Sequence, residues 1–178
     1  GSHKIKLWDL STGESFQTLF GHKQWVKCLA ISPDARTLIS GSEDTSIRIW
    51  DLPTGDLIHT LKGHQGCVRS LTLSPDGRTL ISGSDDQTIK LWDLHTGTLL
   101  YTLSGHSGAV RALTICSKNQ HIISGSEDKT IKMWHLQTKK LLRTLKGHAA
   151  PVKAIAISPD GQTLASGSSD RTIKIWQA

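Results

Sequence analysis

The chain has 178 residues, 37% hydrophobic and 20% charged, which excludes a disordered or fibrous protein and suits one domain or two small ones. No apolar run approaches the roughly 20 residues of a membrane span, and no signal-peptide pattern opens the chain. The net charge of +6 admits an anionic partner, but Lys and Arg are spread evenly with no basic run, which speaks against a nucleic-acid surface. Three cysteines (Cys28, Cys67, Cys116) without C-x-x-C spacing speak against a disulfide framework or a zinc site and suit a reducing, cytoplasmic setting. Gly1-Ser2-His3 reads as a cloning remnant.

Two strands open the chain, at residues 4–9 and at Ser15–Leu19. From there the sequence repeats with a period of 42 residues. Gly-His pairs fall at Gly21-His22, Gly63-His64, Gly105-His106 and Gly147-His148, and tryptophans at Trp8, Trp50, Trp92, Trp134 and Trp176. Between the segments starting at Gly21 and Gly63, 24 of 42 positions are identical, far beyond a composition artefact. The second unit shows the content of a period. Val68–Leu73 alternates loosely between apolar and polar, and Ser74-Pro75-Asp76-Gly77 follows as a turn, Pro presetting φ and Gly accepting φ > 0. Residues 79–82 make a second strand, ended by Gly83-Ser84-Asp85-Asp86. Residues 88–92 alternate again, with Ile89 and Leu91 on one face; His95-Thr96-Gly97 turns the chain into Leu99–Leu103. No stretch has an apolar 3.6-residue period with helix caps, so the chain is all-β, built of hairpin-linked four-stranded antiparallel sheets.

Gly-His, a Ser-Pro-Asp-Gly turn and S-G-S-x-D-x-T-I-K-x-W-D, recurring at fixed offsets, resemble the WD40-repeat β-propeller family across nearly the whole chain. The near-identity of the repeats is similar to that of bacterial multi-repeat WD proteins, a likeness that names no partner. Departures are local. Trp-Asp becomes Trp134-His135 and Trp176-Gln177; the turn Gly is Ala35 in the first copy; the third copy has Cys116-Ser117-Lys118-Asn119; and Lys139 replaces the Gly of Thr-Gly, making that loop the least regular. Asn tolerates left-handed geometry, so the third turn is expected to survive.

Each repeat holds His, Ser 18 residues on, Asp after 4 more and Trp after 6 more: His22, Ser40, Asp44, Trp50; His64, Ser82, Asp86, Trp92; His106, Ser124, Asp128, Trp134; and His148, Ser166, Asp170, Trp176. A search for nucleophile, base and orienter flags these sets as hydrolase triads. The resemblance implies instead a buried hydrogen-bonded chain inside each blade. Four equivalent copies suit a structural device, and no oxyanion-hole loop or nucleophile elbow accompanies the serines. With no phosphate-loop, dinucleotide, H-E-x-x-H or calcium-loop motif, the chain is expected to be no enzyme and to carry no cofactor or metal.

The resemblance also implies a partner held on the narrow top face around a central channel. Residue by residue, the third position after the repeat His is Trp25, Cys67, Ala109 or Pro151. The fifth is Lys27, Arg69, Arg111 or Lys153, and the position before the repeat Asp is Glu43, Asp85, Glu127 or Ser169. Adjacent opposite charges either neutralise one another or form a socket for an acidic or phosphorylated peptide, and Ser169 leaves Lys153 less compensated. Trp25 is the best anchor candidate.

The expected fold is therefore an all-β WD40 propeller over residues 4–178, with blade units at 21–62, 63–104, 105–146 and 147–178, the last completed by 15–19. Residues 4–9 duplicate residues 172–177 and are spare. Four blades per chain close poorly, so the preferred reading is homodimerisation to an eight-bladed ring. A fragment of a longer propeller, a strained four-bladed monomer and a higher assembly are the alternatives. In function the expectation is a non-catalytic protein-interaction scaffold, cytoplasmic and without membrane contact. The alternatives are a polyanion or nucleic-acid binder using the basic ring, and a structural or engineered self-assembling ring without ligand.

Overall fold

The computed structural model describes residues 3–116, 118 and 120–177. Two parts of the sequence reading, the remnant residues Gly1 and Ser2 and the turn residues Ser117 and Asn119, lie outside the described residues. Among the described residues there are strands and turns and no helix. β1 (Ile5–Trp8) pairs with β2 (Ser15–Leu19). β3 (Val26–Ile31), β4 (Thr37–Ser42), β5 (Ile47–Asp51) and β6 (Leu57–Leu61) form the first four-stranded antiparallel sheet. The second is β7 (Val68–Leu73), β8 (Thr79–Ser84), β9 (Ile89–Asp93) and β10 (Leu99–Leu103). The third is β11 (Val110–Cys116), β12 (His121–Ser126), β13 (Thr130–His135) and β14 (Leu141–Lys146). A three-stranded sheet of β15 (Val152–Ile157), β16 (Thr163–Ser168) and β17 (Ile173–Gln177) ends the chain.

The turns explain why each strand stops where it does. Between β3 and β4 the Ser32 hydroxyl donates to Asp34 Oδ1 (2.5 Å) and accepts the Thr37 N–H (2.9 Å), while Asp34 Oδ1 also accepts the Arg36 N–H (3.0 Å). Ser74 with Asp76 and Ser158 with Asp160 repeat this arrangement. Ala35 (φ 57°), Gly77 (69°) and Gly161 (72°) occupy the left-handed position that closes it. In the third copy Cys116 and Lys118 cannot build this network, and Gln120 is left-handed (φ 54°). The loop at Lys139 keeps the form of its counterparts. Lys139 takes φ 62° where Gly97 has 71°, and His135 Nδ1 accepts the N–H groups of Gln137 and Thr138 as Asp93 Oδ1 accepts that of Thr96.

Inner strands of successive sheets pack on one another, β3 on β7, β7 on β11 and β11 on β15. Each apolar core is shared by two neighbours. Ile39, Ile47, Ile49 and Leu61 of the first sheet meet Val68, Leu80 and Trp92 of the second, and Ile81, Ile89, Leu91 and Leu103 meet Val110, Leu113, Ile122 and Trp134 of the third. The β1–β2 hairpin covers the outer part of the first sheet, with Ile5 and Leu19 against Leu38 and Trp50. Gln17 ties it down by donating from Nε2 to the Thr54 carbonyl (2.8 Å).

Here the structure departs from the expected closure. Ser15–Leu19 pairs with Ile5–Trp8, not with β17, so within one chain the last sheet keeps three strands. The physical reason is that a hairpin closes a short loop at small entropic cost, whereas pairing β2 with β17 would bend four blades into a full turn. Both ends stay open. Leu29 and Ile31 on β3 are 51% and 58% exposed, and Ile173 and Ile175 on β17 are 76% and 59% exposed.

Candidate functional site

The four His-Ser-Asp-Trp sets assemble in all four copies. In the second sheet Trp92 Nε1 donates to Ser82 Oγ (2.8 Å), Ser82 lies 2.7 Å from His64 Nε2, and His64 Nδ1 lies 2.7 Å from Asp86 Oδ2. With Trp donating to Ser, the consistent proton order runs from the indole N–H through the Ser hydroxyl and the His Nδ1–H to the carboxylate. Asp86 also accepts the Gln65 N–H (2.9 Å) and the Thr88 hydroxyl (2.7 Å), so it fastens the loop before β7 to the turn before β9. The Gly of Gly-His has its own reason: a Cβ on Gly63 would sit 3.0 Å from Cη2 of Trp92. The sets at His22, His106 and His148 have the same links, each within 2.7–3.0 Å.

Electrostatics follow from this geometry. Burial raises Asp44 and Asp128, but hydrogen bonds to Asp44 from Ser46, the Lys23 amide and His22, and to Asp128 from Thr130 and His106, outweigh it; both settle at about 2. Burial lowers His22 and His106 more than their carboxylates raise them, which favours the neutral imidazole. The serines superficially satisfy triad distances, yet Ser40, Ser82 and Ser124 are fully buried, and each hydroxyl is engaged by an indole N–H and a histidine. No face of these oxygens is open to a substrate. In geometry each set is a buried hydrogen-bonded chain within its own sheet.

The residues expected on the top face form a ladder of ion pairs. Lys27 pairs with Glu43 (2.7 Å) and Arg69 grips Asp85 through Nε and Nη2 (2.6–3.0 Å). Arg111 grips Glu127 and also reaches Asp85 of the preceding blade (3.6 Å); Lys153 reaches back to Glu127 (3.3 Å). The side-chain bond from Arg69 lowers Asp85 against its burial, and that from Arg111 lowers Glu127. Cys67 and Ala109 are buried, so these two third-position residues present no side chain to a partner. Trp25 is 49% exposed, with Lys27 Nζ 4.6 Å from its ring centroid. Sequence reasoning missed one device. The amides of Glu43, Asp85, Glu127 and Ser169 donate to the carbonyls of Trp25, Cys67, Ala109 and Pro151 (2.9–3.0 Å), fixing each acidic position beside its third-position neighbour. The signal available was the constant 18-residue offset between the two positions.

Sheets whose apolar faces pack on both neighbours, a repeated intrablade chain and a cross-blade ladder of ion pairs are the features of a propeller, and a family model described as the WDR3 first beta-propeller domain matches residues 1–178. The chain belongs to the WD40 β-propeller family. Propellers of this family generally bind proteins and are generally non-catalytic scaffolds. A WD repeat-containing protein of Schizosaccharomyces pombe is 49% identical over 45 residues, 25% of this chain and 12% of that protein. The nuclear distribution protein PAC1 of Coccidioides posadasii is 45% identical over 40 residues, 22% of this chain and 8% of PAC1. PAC1 of Arthroderma otae is 43% identical over 42 residues, 24% of this chain and 9% of that protein. These matches are about one WD40 repeat long, so the chain spans only a small part of each of these relatives.

Proposed function

We propose that this WD40 chain is a non-catalytic scaffold holding a protein or peptide on its top face, at the end marked by Trp25, Lys27 and Glu43. The carrying observation is Trp25, a half-exposed indole at a position where two of the other blades have buried side chains. A rigid aromatic surrounded by hydrogen-bonding groups is the kind of residue that dominates binding energy. The arginine forks of Arg69 and Arg111 are filled by their own carboxylates. That supports mutual neutralisation over a phosphate socket, and a protein partner over a polyanion. An acidic peptide would be met by Lys27 and by Lys153, the more exposed cation at the far end of the ladder. The setting is a reducing cytoplasm, supported by three free cysteines, two of them buried.

Titration of acidic, phosphorylated and neutral peptide libraries against wild type, Trp25→Ala and Arg69→Ala/Arg111→Ala tests this reading. Loss of affinity of about tenfold or more on Trp25→Ala, with a small change in the arginine variant, is expected. Binding indifferent to Trp25, or no binding, overturns it.

We also infer that two copies complete one eight-bladed ring. Its support is the apolar surface at both ends: Leu29 and Ile31 at one, Ile173 and Ile175 at the other. Fully burying such side chains stabilises by about 1.5–3 kcal/mol each. Light scattering should give twice 19.4 kDa; the single-chain mass at micromolar concentration refutes the ring.

A further inference from the structure

Three of the departures of the third sheet from its neighbours fall in one row across its strands. In the second sheet that row is Ser74, Thr79 and Asp93: the Ser74 amide and the Thr79 carbonyl are hydrogen-bonded, and Thr79 pairs with Asp93. The first sheet has Ser32, Thr37 and Asp51 there, and the last has Ser158, Thr163 and Gln177. In the third sheet the row is Cys116, His121 and His135, with Cys116 paired to His121 and His121 to His135. This copy alone has exchanged all three positions, each for a side chain that ligates borderline-soft metal ions.

Directly paired antiparallel residues place their side chains on the same face of a sheet. Here it is the face toward the last sheet, for Cys116 belongs to the apolar cluster of Ile123, Val152 and Leu164. The His121 and His135 rings meet edge-on with centroids 6.0 Å apart. Two imidazoles on one tetrahedral zinc, each bonded at about 2.0–2.1 Å, hold their centroids roughly 5 Å apart, so a modest side-chain adjustment separates the two arrangements. The row is also shielded, with Cys116 buried and both histidines half-buried. His121 Nδ1 is itself buried and, among the described residues, has no hydrogen-bond partner. A buried ring nitrogen in that condition costs free energy that a bound cation would recover. His135 Nδ1 accepts the amides of Gln137 and Thr138 at 3.2 Å each, the long end of the hydrogen-bond range.

We propose that Cys116, His121 and His135 are the protein ligands of a zinc-ion site on the third sheet. It goes beyond the scaffold reading and does not rest on it. Among the described residues no three such groups already surround one point, so uptake of the ion gathers them. The Cys116 thiol gives up its proton and binds as thiolate, and His121 offers the free Nδ1. His135 turns from the two amides to offer a ring nitrogen. One proton leaves for each ion bound, and the fourth position of a tetrahedral zinc falls to water. Motif spacing conceals such a site. The three residues stand as C-x4-H-x13-H, which matches no zinc signature, and strand pairing alone makes them neighbours.

Calorimetric titration of Zn2+ into the reduced full chain, with Co2+ as a coloured probe, tests this on wild type, Cys116→Ser, His121→Thr and His135→Gln. Each substitution installs a residue that another sheet carries in the same row, so the metal-free melts should stay close to wild type. Wild type should take one zinc per chain, and each variant should bind it about tenfold or more weakly. Co2+ should give wild type a thiolate-to-metal charge-transfer band that Cys116→Ser loses. Zinc should raise the melting temperature of wild type and leave that of His121→Thr where it was. No binding by millimolar zinc overturns the site, and so does equal affinity in His121→Thr, which would put the ion on other histidines. A cobalt spectrum unchanged in Cys116→Ser overturns the thiolate ligand. One measurement needs no variant: zinc should slow alkylation of Cys116 about tenfold or more while Cys28 and Cys67 react as before. A Cys116 rate indifferent to zinc overturns the proposal.

Discussion

The second sheet, β7–β10, and the last, β15–β17, contain the same polar chain at the same distances. Ser82 lies 2.7 Å from His64 and Ser166 lies 2.8 Å from His148; the indoles of Trp92 and Trp176 donate at 2.8 and 2.9 Å. Their apolar residues fare differently. Trp92, Ile89 and Leu91 are buried, whereas Trp176 is half-buried and Ile173 and Ile175 face solvent. The polar set is thus a property of one repeat, closed within its own sheet. The apolar burial is a property of two neighbours and of the fourth strand. The carboxylates tell the same story. Burial is the largest influence on Asp86, pushing it up before His64, Thr88 and the Gln65 amide bring it well below the usual range; for Asp170 the Thr172 hydroxyl leads instead.

The most direct way to break this comparison is to remove the indole in each sheet. Trp92→Ala empties a sealed site and should cost about 3–5 kcal/mol in urea unfolding. Trp176→Ala should cost clearly less, because its ring already meets solvent in the single chain. Equal losses would mean that the polar chain, not the neighbours, fixes the contribution of the tryptophan.

Next in size is the carboxylate. Asp86→Ala strips partners from the His64 ring, the Gln65 amide and the Thr88 hydroxyl, and should cost about 2–3 kcal/mol, with Asp170→Ala costing less. Acid should reach the same network. Asp44 and Asp128 sit at about 2 in the folded chain, below the 3.8 of an unperturbed carboxylate, so the unfolded state binds protons first as pH falls. Their stabilisation is present above about pH 4 and is lost between there and about pH 2. His22 and His106, lowered by burial, add a shallower decline that starts below 6.5, where the unfolded imidazoles protonate first. Denaturant midpoints measured from pH 7 to pH 2 should therefore fall monotonically. A rise on acidification from pH 7 to pH 5 would contradict the neutral-histidine assignment.

What could be read from the residues divides along the same line as the two sheets. The polar sets, the strand order and the described turns all rest on offsets inside one 42-residue unit, which is why the residues alone could suggest them. Contacts between units were legible only as composition. The basic and acidic top positions were apparent, but not that Arg111 bridges Asp85 and Glu127, since that depends on how far one blade stands from the next. Cys67 carried the right offset for the top face and is buried, because a small side chain there sinks where Trp25 cannot. The pairing of β2 was ambiguous in principle: Ile5–Trp8 and Ile173–Gln177 have nearly the same sequence, so only the cost of closing the loop separates them.

The smallest expected effect tests the part of a repeat that neighbours barely touch. Ala35 and Gly77 occupy the same turn position at φ 57° and 69°. A Cβ in this region costs roughly 1–2 kcal/mol, and glycine returns roughly 0.5–1 of that through the freedom of its unfolded chain. Ala35→Gly should therefore stabilise by about 0.5–1 kcal/mol, visible as a small rise in the urea midpoint at unchanged slope. Gly77→Ala should lose more than this gain, because its new Cβ would also stand 3.3 Å from Cδ of Pro33 on the preceding blade. If the two substitutions proved equal and opposite, the turn would be wholly local; the predicted asymmetry is the contribution of one neighbouring proline, the contact by which even this position belongs to two blades.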